Sequence, residues 1–368
     1  MWAALLLQAA RVIAWTLLLA GWVGLSSLAM QFTPGPLAAL GLIALWLFAL
    51  GAFSTWVGRV RWPAWGLRGM LIACAAIAAQ GLASAVQGAG LWALVPALLA
   101  WAMLVALASL TVRARRLLLP ARPAAPLGVA ACGALLAWLV LGDPADVPAL
   151  AVHLGGAAVI AALVLAGLYP QRSAAVARPG CRAGLFDCSL PAWPAGAWQS
   201  LPQAPIRLAS LVMLPMMCSL PWMIALCRSE SMPARAVVGL HFAAMFLPGW
   251  CLRREASASA CGPLLVLGGL AAASTAWQPA AIWVLLLAHG AAWSLAWSTQ
   301  LRGASWRPAA SASPLRTAWL HAGFALMLGA ALAVFGLRGF VLWHGLVGTL
   351  ALMALLAQVV RRPANAVA

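Results

Sequence analysis

The chain has 368 residues, of which 65% are hydrophobic and only 7% are charged, and its formal net charge is +17. This composition, with a mean hydropathy of +0.99, excludes a soluble domain and indicates a protein that crosses a membrane repeatedly. The basic residues are all arginines spread over short loops, so the charge predicts no nucleic-acid partner.

Apolar stretches of membrane-spanning length follow one another along the chain. A bilayer core of about 30 Å needs about 20 apolar residues per helix, and lipid requires every backbone polar group to be bonded internally. The predicted fold class is therefore an all-α integral membrane protein with twelve transmembrane helices. We number these predicted spans 1 to 12 in chain order: 8–30, 36–56, 67–87, 90–112, 124–142, 147–169, 206–227, 234–252, 262–277, 279–299, 317–336 and 339–360.

The longest polar interruption, residues 170–205, divides the twelve spans into two sets of six. It is rich in proline, glycine and tryptophan, which predicts a linker along the membrane surface. We therefore predict an N-terminal six-helix bundle (1–169), a cytoplasmic central loop (170–205) and a C-terminal six-helix bundle (206–368). Two six-helix halves around a central cavity are the plan of a major facilitator transporter.

The arginines predict the orientation of the chain in the membrane. If the N-terminus is inside, the outer loops hold only Arg228, Arg235 and Arg338, and the cytoplasmic side holds nearly all the others. The first apolar run has Arg11 as its basic flank and no small-residue cleavage site, which predicts a transmembrane helix rather than a signal peptide. We expect a multi-pass inner-membrane protein with both termini cytoplasmic and arginines that contact lipid headgroups.

Two short motifs on spans 7 and 8 contain soft-metal ligands. Met213 and Met217 are four residues apart on one span, as are His241 and Met245 on the next, and corresponding members of the two pairs are 28 positions apart. Residues four apart share a helical face, so each pair presents two donors to one ion. Thioether and imidazole donors favour Cu(I) over magnesium or calcium. The alternative is ordinary packing, since methionine fills gaps in apolar cores and a buried histidine often bridges helices.

Segments 211–217 (LVMLPMM) and 237–249 (VVGLHFAAMFLPG) together resemble the CcoA-type copper importers of the major facilitator superfamily, which carry M-x-x-x-M on the seventh helix and H-x-x-x-M on the eighth. The resemblance implies that the chain imports copper as its transported substrate and holds no tightly bound cofactor. It also implies a cytoplasmic copper acceptor as partner and a supply of copper to cytochrome oxidase assembly. The implied metal ligands are Met213, Met217, His241 and Met245.

Other histidines and cysteines leave alternatives open. His153, His289, His321 and His344 fall on spans 6, 10, 11 and 12, where imidazoles from different helices would suit haem ligation, interhelical hydrogen bonds or a second part of the transport path. Cys181 and Cys188 lie in the central loop, where they are either inner-side copper ligands or ordinary thiols.

Acidic residues are scarce: the chain has five, all in predicted loops or at span ends. Proton-coupled transporters usually bury a carboxylate, so a proton-driven mechanism here would need a histidine such as His241 to titrate. The chain has no phosphate-binding glycine loop with lysine and no carboxylate pair beside a histidine, so we predict no enzyme. The alternatives to copper import are a permease for a small organic solute and a non-transporting haem-binding or assembly protein.

Overall fold

In the computed structural model, helices account for nearly all of the described residues, which are 2–58, 60, 63–116, 126–170, 204–206, 208, 209, 212, 216, 233–251, 254–275, 278, 280–302, 323, 327 and 334–360. Ten α-helices lie within these residues. They are α1 (Trp2–Phe32), α2 (Pro36–Val57), α3 (Ala64–Ser84), α4 (Gly90–Arg116), α5 (Pro126–Leu141), α6 (Val147–Leu168), α7 (Ala234–Cys251), α8 (Arg254–Ser274), α9 (Ala281–Arg302) and α10 (Leu337–Val360).

These ten helices correspond to ten of the twelve predicted spans. Spans 7 and 11 lie mostly outside the described residues, although Val212, Met216, Gly323 and Met327 within them are helical. The central loop is also largely outside that part, so the division at 170–205 stays a prediction. The largest difference in boundary is at α8, which begins at Arg254 rather than at 262, because the Ala/Ser-rich first turns lower the hydropathy without opposing a helix.

Several helices are long and apolar enough to cross a bilayer. The described residues contain six such stretches: Trp2–Phe32, Leu37–Val57, Ala64–Arg115, Val147–Leu168, Ala281–Thr299 and Arg338–Val360. Three shorter apolar helical stretches, Gly128–Leu141, Ala234–Gly249 and Ser259–Ser274, accompany them. This is the pattern of a multi-pass membrane protein.

The stretch Ala64–Arg115 is two helices, α3 and α4, joined by a π-helical turn over Ala85–Ala89. Gly88 (φ 116°) and Gly90 (φ 52°) are both in the left-handed region, which glycine adopts without a steric penalty. The chain reverses there and α4 packs along α3. The predicted boundary between spans 3 and 4 is confirmed.

Helices α1 to α6 pack together around α1, which contacts α2, α4, α5 and α6. A close approach fixes α1 against α4: the fully buried Trp101 lies on Gly21, and its indole Nε1 donates to the Leu17 carbonyl at 2.9 Å. Gly21 therefore provides the space that this indole occupies.

Helices α7 to α10 form a second group, in the spatial order α7, α9, α8, α10. α7 also packs against α5, and this contact joins the two groups. The second group contains most of the buried polar side chains of the described residues, including His241, His289, His344, Ser294 and Ser298.

Side chains of opposite charge bind the backbone at the two ends of α6. At its N-terminus, Asp146 Oδ1 accepts a hydrogen bond from the Ala149 amide at 3.2 Å, as a helix cap does. At its C-terminus, Arg68 Nη2 donates to the Tyr169 carbonyl at 3.4 Å and Arg115 Nε donates to the Leu168 carbonyl. Arginines from two predicted cytoplasmic loops thus meet at one end of the bundle, where they complement the helix dipole.

We expect Gly21→Ala to lower the midpoint of thermal unfolding, because the added β-carbon would overlap the Trp101 indole. Overpacking of a filled core costs about 1–3 kcal/mol. Gly41→Ala is the matched control, since it also changes a helical glycine but no atom lies within 4 Å of the added carbon. The measurement is far-ultraviolet circular dichroism of the purified protein in detergent during heating. Equal midpoints for the two variants would contradict the packing described.

Candidate functional site

His241 and Met245 lie one turn apart on α7, and both are buried. His241 Nδ1 is 3.0 Å from the Leu286 carbonyl oxygen on α9. A carbonyl oxygen only accepts, so Nδ1 carries the proton and, in the neutral ring, Nε2 keeps a free lone pair. Gly290 permits this approach, because a β-carbon there would lie 3.2 Å from Nδ1 and 2.9 Å from the side chain of Ala244.

This hydrogen bond suits two interpretations of His241. Metal-binding histidines commonly donate their other ring N–H to a backbone carbonyl, which orients the free nitrogen toward the metal. The same bond also serves as a plain link between α7 and α9. Met213 and Met217 lie outside the described residues, so the four-ligand set stays a prediction. In the described part of the chain, no group of three or more His, Cys, Asp or Glu side chains is arranged to hold a metal.

His289 of α9 and His344 of α10 form a pair. Their ring centroids are 4.6 Å apart with an interplanar angle of 31°, and both side chains are 0% exposed. All four ring nitrogens lack a hydrogen-bond partner among the described residues. The Leu265 carbonyl of α8 approaches His289, but without the distance and angle of an ordinary hydrogen bond.

Two adjacent glycines of α8 make room for this pair. A β-carbon at Gly268 would overlap the His289 ring, and one at Gly269 would lie 2.9 Å from Gly348 Cα and 3.3 Å from the His344 carbonyl oxygen. α9 and α10 pack on either side of α8, so their histidines meet across this glycine notch, defined by Gly268 and Gly269. The two histidines lie on different predicted spans, and no spacing in the sequence predicts that they form a pair.

His241, His289 and His344 form a row across α7, α9 and α10. His241 Nδ1 would lie 3.2 Å from a β-carbon at Gly290, the residue after His289, and the His289 and His344 ring centroids are 4.6 Å apart. His153 is not part of it: this residue is exposed on α6 beside Gly142. His321, Cys181 and Cys188 lie outside the described residues. A haem held between two imidazoles needs the rings on opposite faces of the macrocycle, whereas His289 and His344 are in direct contact.

Four aromatic side chains meet where the two helix groups face each other. Trp15 of α1 lies 6.0 Å from Phe246 of α7 and 5.9 Å from Trp297 of α9. Phe246 is also 5.9 Å from Trp293, which stacks on Trp297 at 5.1 Å. We call these four residues the junction cluster. Edge-to-face and offset-stacked pairs at such distances stabilise the contact between the groups.

A second contact between the groups lies at the start of α7. The indole of Trp138 on α5 donates to the Arg235 carbonyl at 3.0 Å, and the Arg235 guanidinium lies 4.8 Å from the same ring. We call this contact between Trp138 and Arg235 the clasp. Gly239 leaves the space for it, since a β-carbon there would lie 2.6 Å from Trp138 Nε1. Arg235 belongs to a predicted outer loop, so the clasp lies at the end of the molecule that the arginine distribution predicts to be the outer face.

Comparison with known proteins identifies the fold. No protein-family model matches the chain, and no curated protein matches its sequence. A mutant form of the nucleoside transporter NupG matches with a TM-score of 0.62 and 13% identity over 96% of this chain and 99% of that one. The chain has the major facilitator fold. NupG without that mutation matches with a TM-score of 0.59 and 13% identity over 97% and 99% of the two chains.

A second type of transporter shares this fold. A POT family transporter in complex with a thioalcohol-conjugated peptide matches with a TM-score of 0.58 and 10% identity over 96% of this chain and 95% of that one. The predicted fold class, all-α with a major facilitator-like arrangement of twelve helices, is confirmed, as is the prediction of a multi-pass membrane protein. The similar structures are transporters, which agrees with the prediction that the chain is not an enzyme. They support a transporter fold and not the copper importers in particular.

We expect His241→Leu to lower the thermal midpoint and His241→Asn to preserve it. Leucine removes the bond to the Leu286 carbonyl, which is worth about 1 kcal/mol. The asparagine amide nitrogen takes nearly the position of Nδ1 and keeps the bond. Thermal unfolding in detergent separates the two variants. A midpoint for His241→Leu equal to that of the wild type would show that the bond contributes nothing to stability.

Proposed function

We propose that the chain is a secondary transporter of the major facilitator type that moves a small organic solute across the inner membrane, with both termini in the cytoplasm. The match to transporters over 96% or more of the chain carries this proposal. Those transporters are described as handling a nucleoside and a peptide, and both of these are organic solutes.

The junction cluster supports an organic solute. In the major facilitator plan, substrate binds between the two halves, and the cluster lies where α1 faces α7 and α9. When the groups separate, the indole faces of Trp293 and Trp297 become available to stack on a planar or apolar solute. The four side chains carry no formal charge, which suits a neutral solute.

The clasp and the cluster together suggest how access alternates. The clasp joins α5 to α7 at the predicted outer end, and the cluster joins α1 to α7 and α9 deeper in the molecule. Helix α7 takes part in both contacts. A rocking motion of one group against the other would break the clasp when the outer side opens, and α7 would carry Phe246 away from Trp15.

Uptake into proteoliposomes tests this function, with labelled uridine, a labelled dipeptide and Cu(I) as the three probes. We expect saturable uptake of an organic probe and a two- to tenfold loss of apparent affinity in Trp293→Leu and Trp297→Leu, because a lost aromatic contact costs about 0.5–1.5 kcal/mol. Trp283→Leu is the matched control, since Trp283 lies on the same helix outside the cluster. Equal affinities in all three variants would remove the cluster from the binding site, and uptake of Cu(I) alone would overturn the organic-solute proposal.

Copper import is the second candidate. The observation that favours it is the bond between His241 Nδ1 and the Leu286 carbonyl, which leaves Nε2 available as a ligand one turn from the buried Met245. In this proposal Met213, Met217, His241 and Met245 bind Cu(I) during transport. A cytoplasmic acceptor then takes the ion toward oxidase assembly.

Radioactive copper uptake by cells that lack their own importer tests this second candidate. If His241 is a ligand, His241→Asn should abolish uptake although it keeps the bond to Leu286, and Met217→Leu should abolish it too. Membrane abundance of each variant is measured in parallel. Wild-type rates in His241→Asn would mean that the histidine only links helices and would reject the ligand assignment.

A further inference from the structure

The His289–His344 pair is an unusual element in a membrane-spanning core. A buried polar atom without a hydrogen bond costs about 1–3 kcal/mol, and the four ring nitrogens of this pair are all unpartnered among the described residues. In native proteins such groups call for an explanation, such as a bound ion, a water molecule or a functional role. Four unpartnered imidazole nitrogens in one place suit a ligand that imidazole binds.

The geometry of the rings discriminates between a metal ion and a proton. A metal binds to the lone pair in the plane of each imidazole at about 2.0 Å, so two ligating rings direct their edges toward one point. His289 and His344 instead lie at an interplanar angle of 31° with their ring centroids 4.6 Å apart, and among the described residues no third His, Cys, Asp or Glu side chain joins them to hold a metal. A proton needs only one nitrogen at a time, and either ring provides one.

We propose that His289 and His344 form a single-proton site that couples solute movement to the proton gradient. This inference rests on the proposed transport function. One ring binds the proton while the other stays neutral, because two imidazolium ions in contact would repel each other strongly. The site takes the place of the buried carboxylate that proton-coupled transporters usually contain.

Neighbouring groups stabilise a positive charge at this position. The Phe340 ring meets His344 edge to face at 4.1 Å between centroids, within the range of a cation–π contact. The Leu265 carbonyl approaches His289 and would accept a hydrogen bond from a protonated ring. The other titratable or charged side chains described on the surrounding helices are Arg235, His241 and Cys251 on α7, Cys261 on α8 and Arg338 on α10.

None of those side chains is a carboxylate, and Glu255 in the first turn of α8 is 13 residues, about 20 Å along the helix, before Gly268, so the protonated site carries an uncompensated positive charge. Such a charge is costly in the closed, dry core, so the proton is released when the site is closed and bound when water reaches it. His289 precedes Trp293 of the junction cluster by one turn of α9, so the pair lies near the region where the two groups separate. This arrangement makes proton binding depend on conformation, as coupling requires.

Proton binding is measured directly by nuclear magnetic resonance of protein labelled with ¹⁵N-histidine. The chain has five histidines, so the double variant His153→Gln, His321→Gln leaves only the row. On titration from about pH 8 to 5, we expect one ring of the pair to become imidazolium while the other stays neutral. In His344→Gln, the signal of His289 should titrate differently from its signal in the parent. Failure of both rings to titrate, or titration of each without regard to the other, would overturn the proposal.

Transport provides the second readout, with the solute that the three-probe panel identifies. His289→Gln and His344→Gln should lose uptake driven by a pH gradient and keep solute exchange across the membrane, because exchange needs no release of the proton. His153→Gln, a change of the same kind outside the row, should keep both. Equal loss of exchange and driven uptake would reject a coupling role. If no probe is transported by the wild type, the transport function fails, while the titration still decides whether the proton site exists.

Gly268→Ala tests the pair without changing a titratable group. The added β-carbon would overlap the His289 ring and displace it from His344. We expect this variant to lose pH-driven uptake as the histidine variants do, with exchange retained. Gly323→Ala and Gly345→Ala, which add a β-carbon where no atom lies within 4 Å, are the controls. Coupled uptake at the wild-type rate in Gly268→Ala would contradict the role of the contact between the rings.

Discussion

Close approach of helices at glycine is the constraint on which the arrangement of this molecule depends. In lipid, apolar surface gives helices little reason to associate, so packing at small residues brings them together. Gly21 admits Trp101 of α4, Gly239 admits Trp138 of α5, and Gly268 admits His289 of α9. In each case the glycine is on one helix and a large ring of another helix occupies the space. The glycines thus determine which rings are buried and which rings meet.

The two helix groups differ in the side chains that occupy the spaces at their glycines. In the interior of α1 to α6, indoles and aliphatic side chains enter the spaces at Gly21, Gly24 and Gly133, and the polar contacts of Arg68 and Asp146 lie at the ends of α6. In α7 to α10 the same kind of space holds imidazoles, beside the buried Ser294 and Ser298 of α9. The polar chemistry of the described membrane interior is therefore concentrated in the second group, where the amide of Gly249 also donates to Ser294 Oγ at 2.9 Å.

The sequence was sufficient for features that depend on local composition. Apolar runs predicted the ten helices of the described residues and the boundary between α3 and α4. It was less reliable at the start of α8, where Ser and Ala are compatible with a helix but not strongly apolar. The partner of His241 is a backbone carbonyl, which no side-chain pattern encodes. The His289–His344 pair depends on the packing order of three helices, and the spacing of residues along the chain does not predict that order.

Trp15 affects how readily the two helix groups separate. It contacts both Phe246 and Trp297 across the junction, and each aromatic pair is worth about 0.5–1.5 kcal/mol beyond the area it buries. In the rocking motion proposed above, loss of these two contacts on opening would favour the closed arrangement by about 1–3 kcal/mol, or roughly 5- to 150-fold. For the proposed transporter, a resting population held closed in this way would limit leakage of small ions. The same bias would slow opening and so lower the maximal turnover rate.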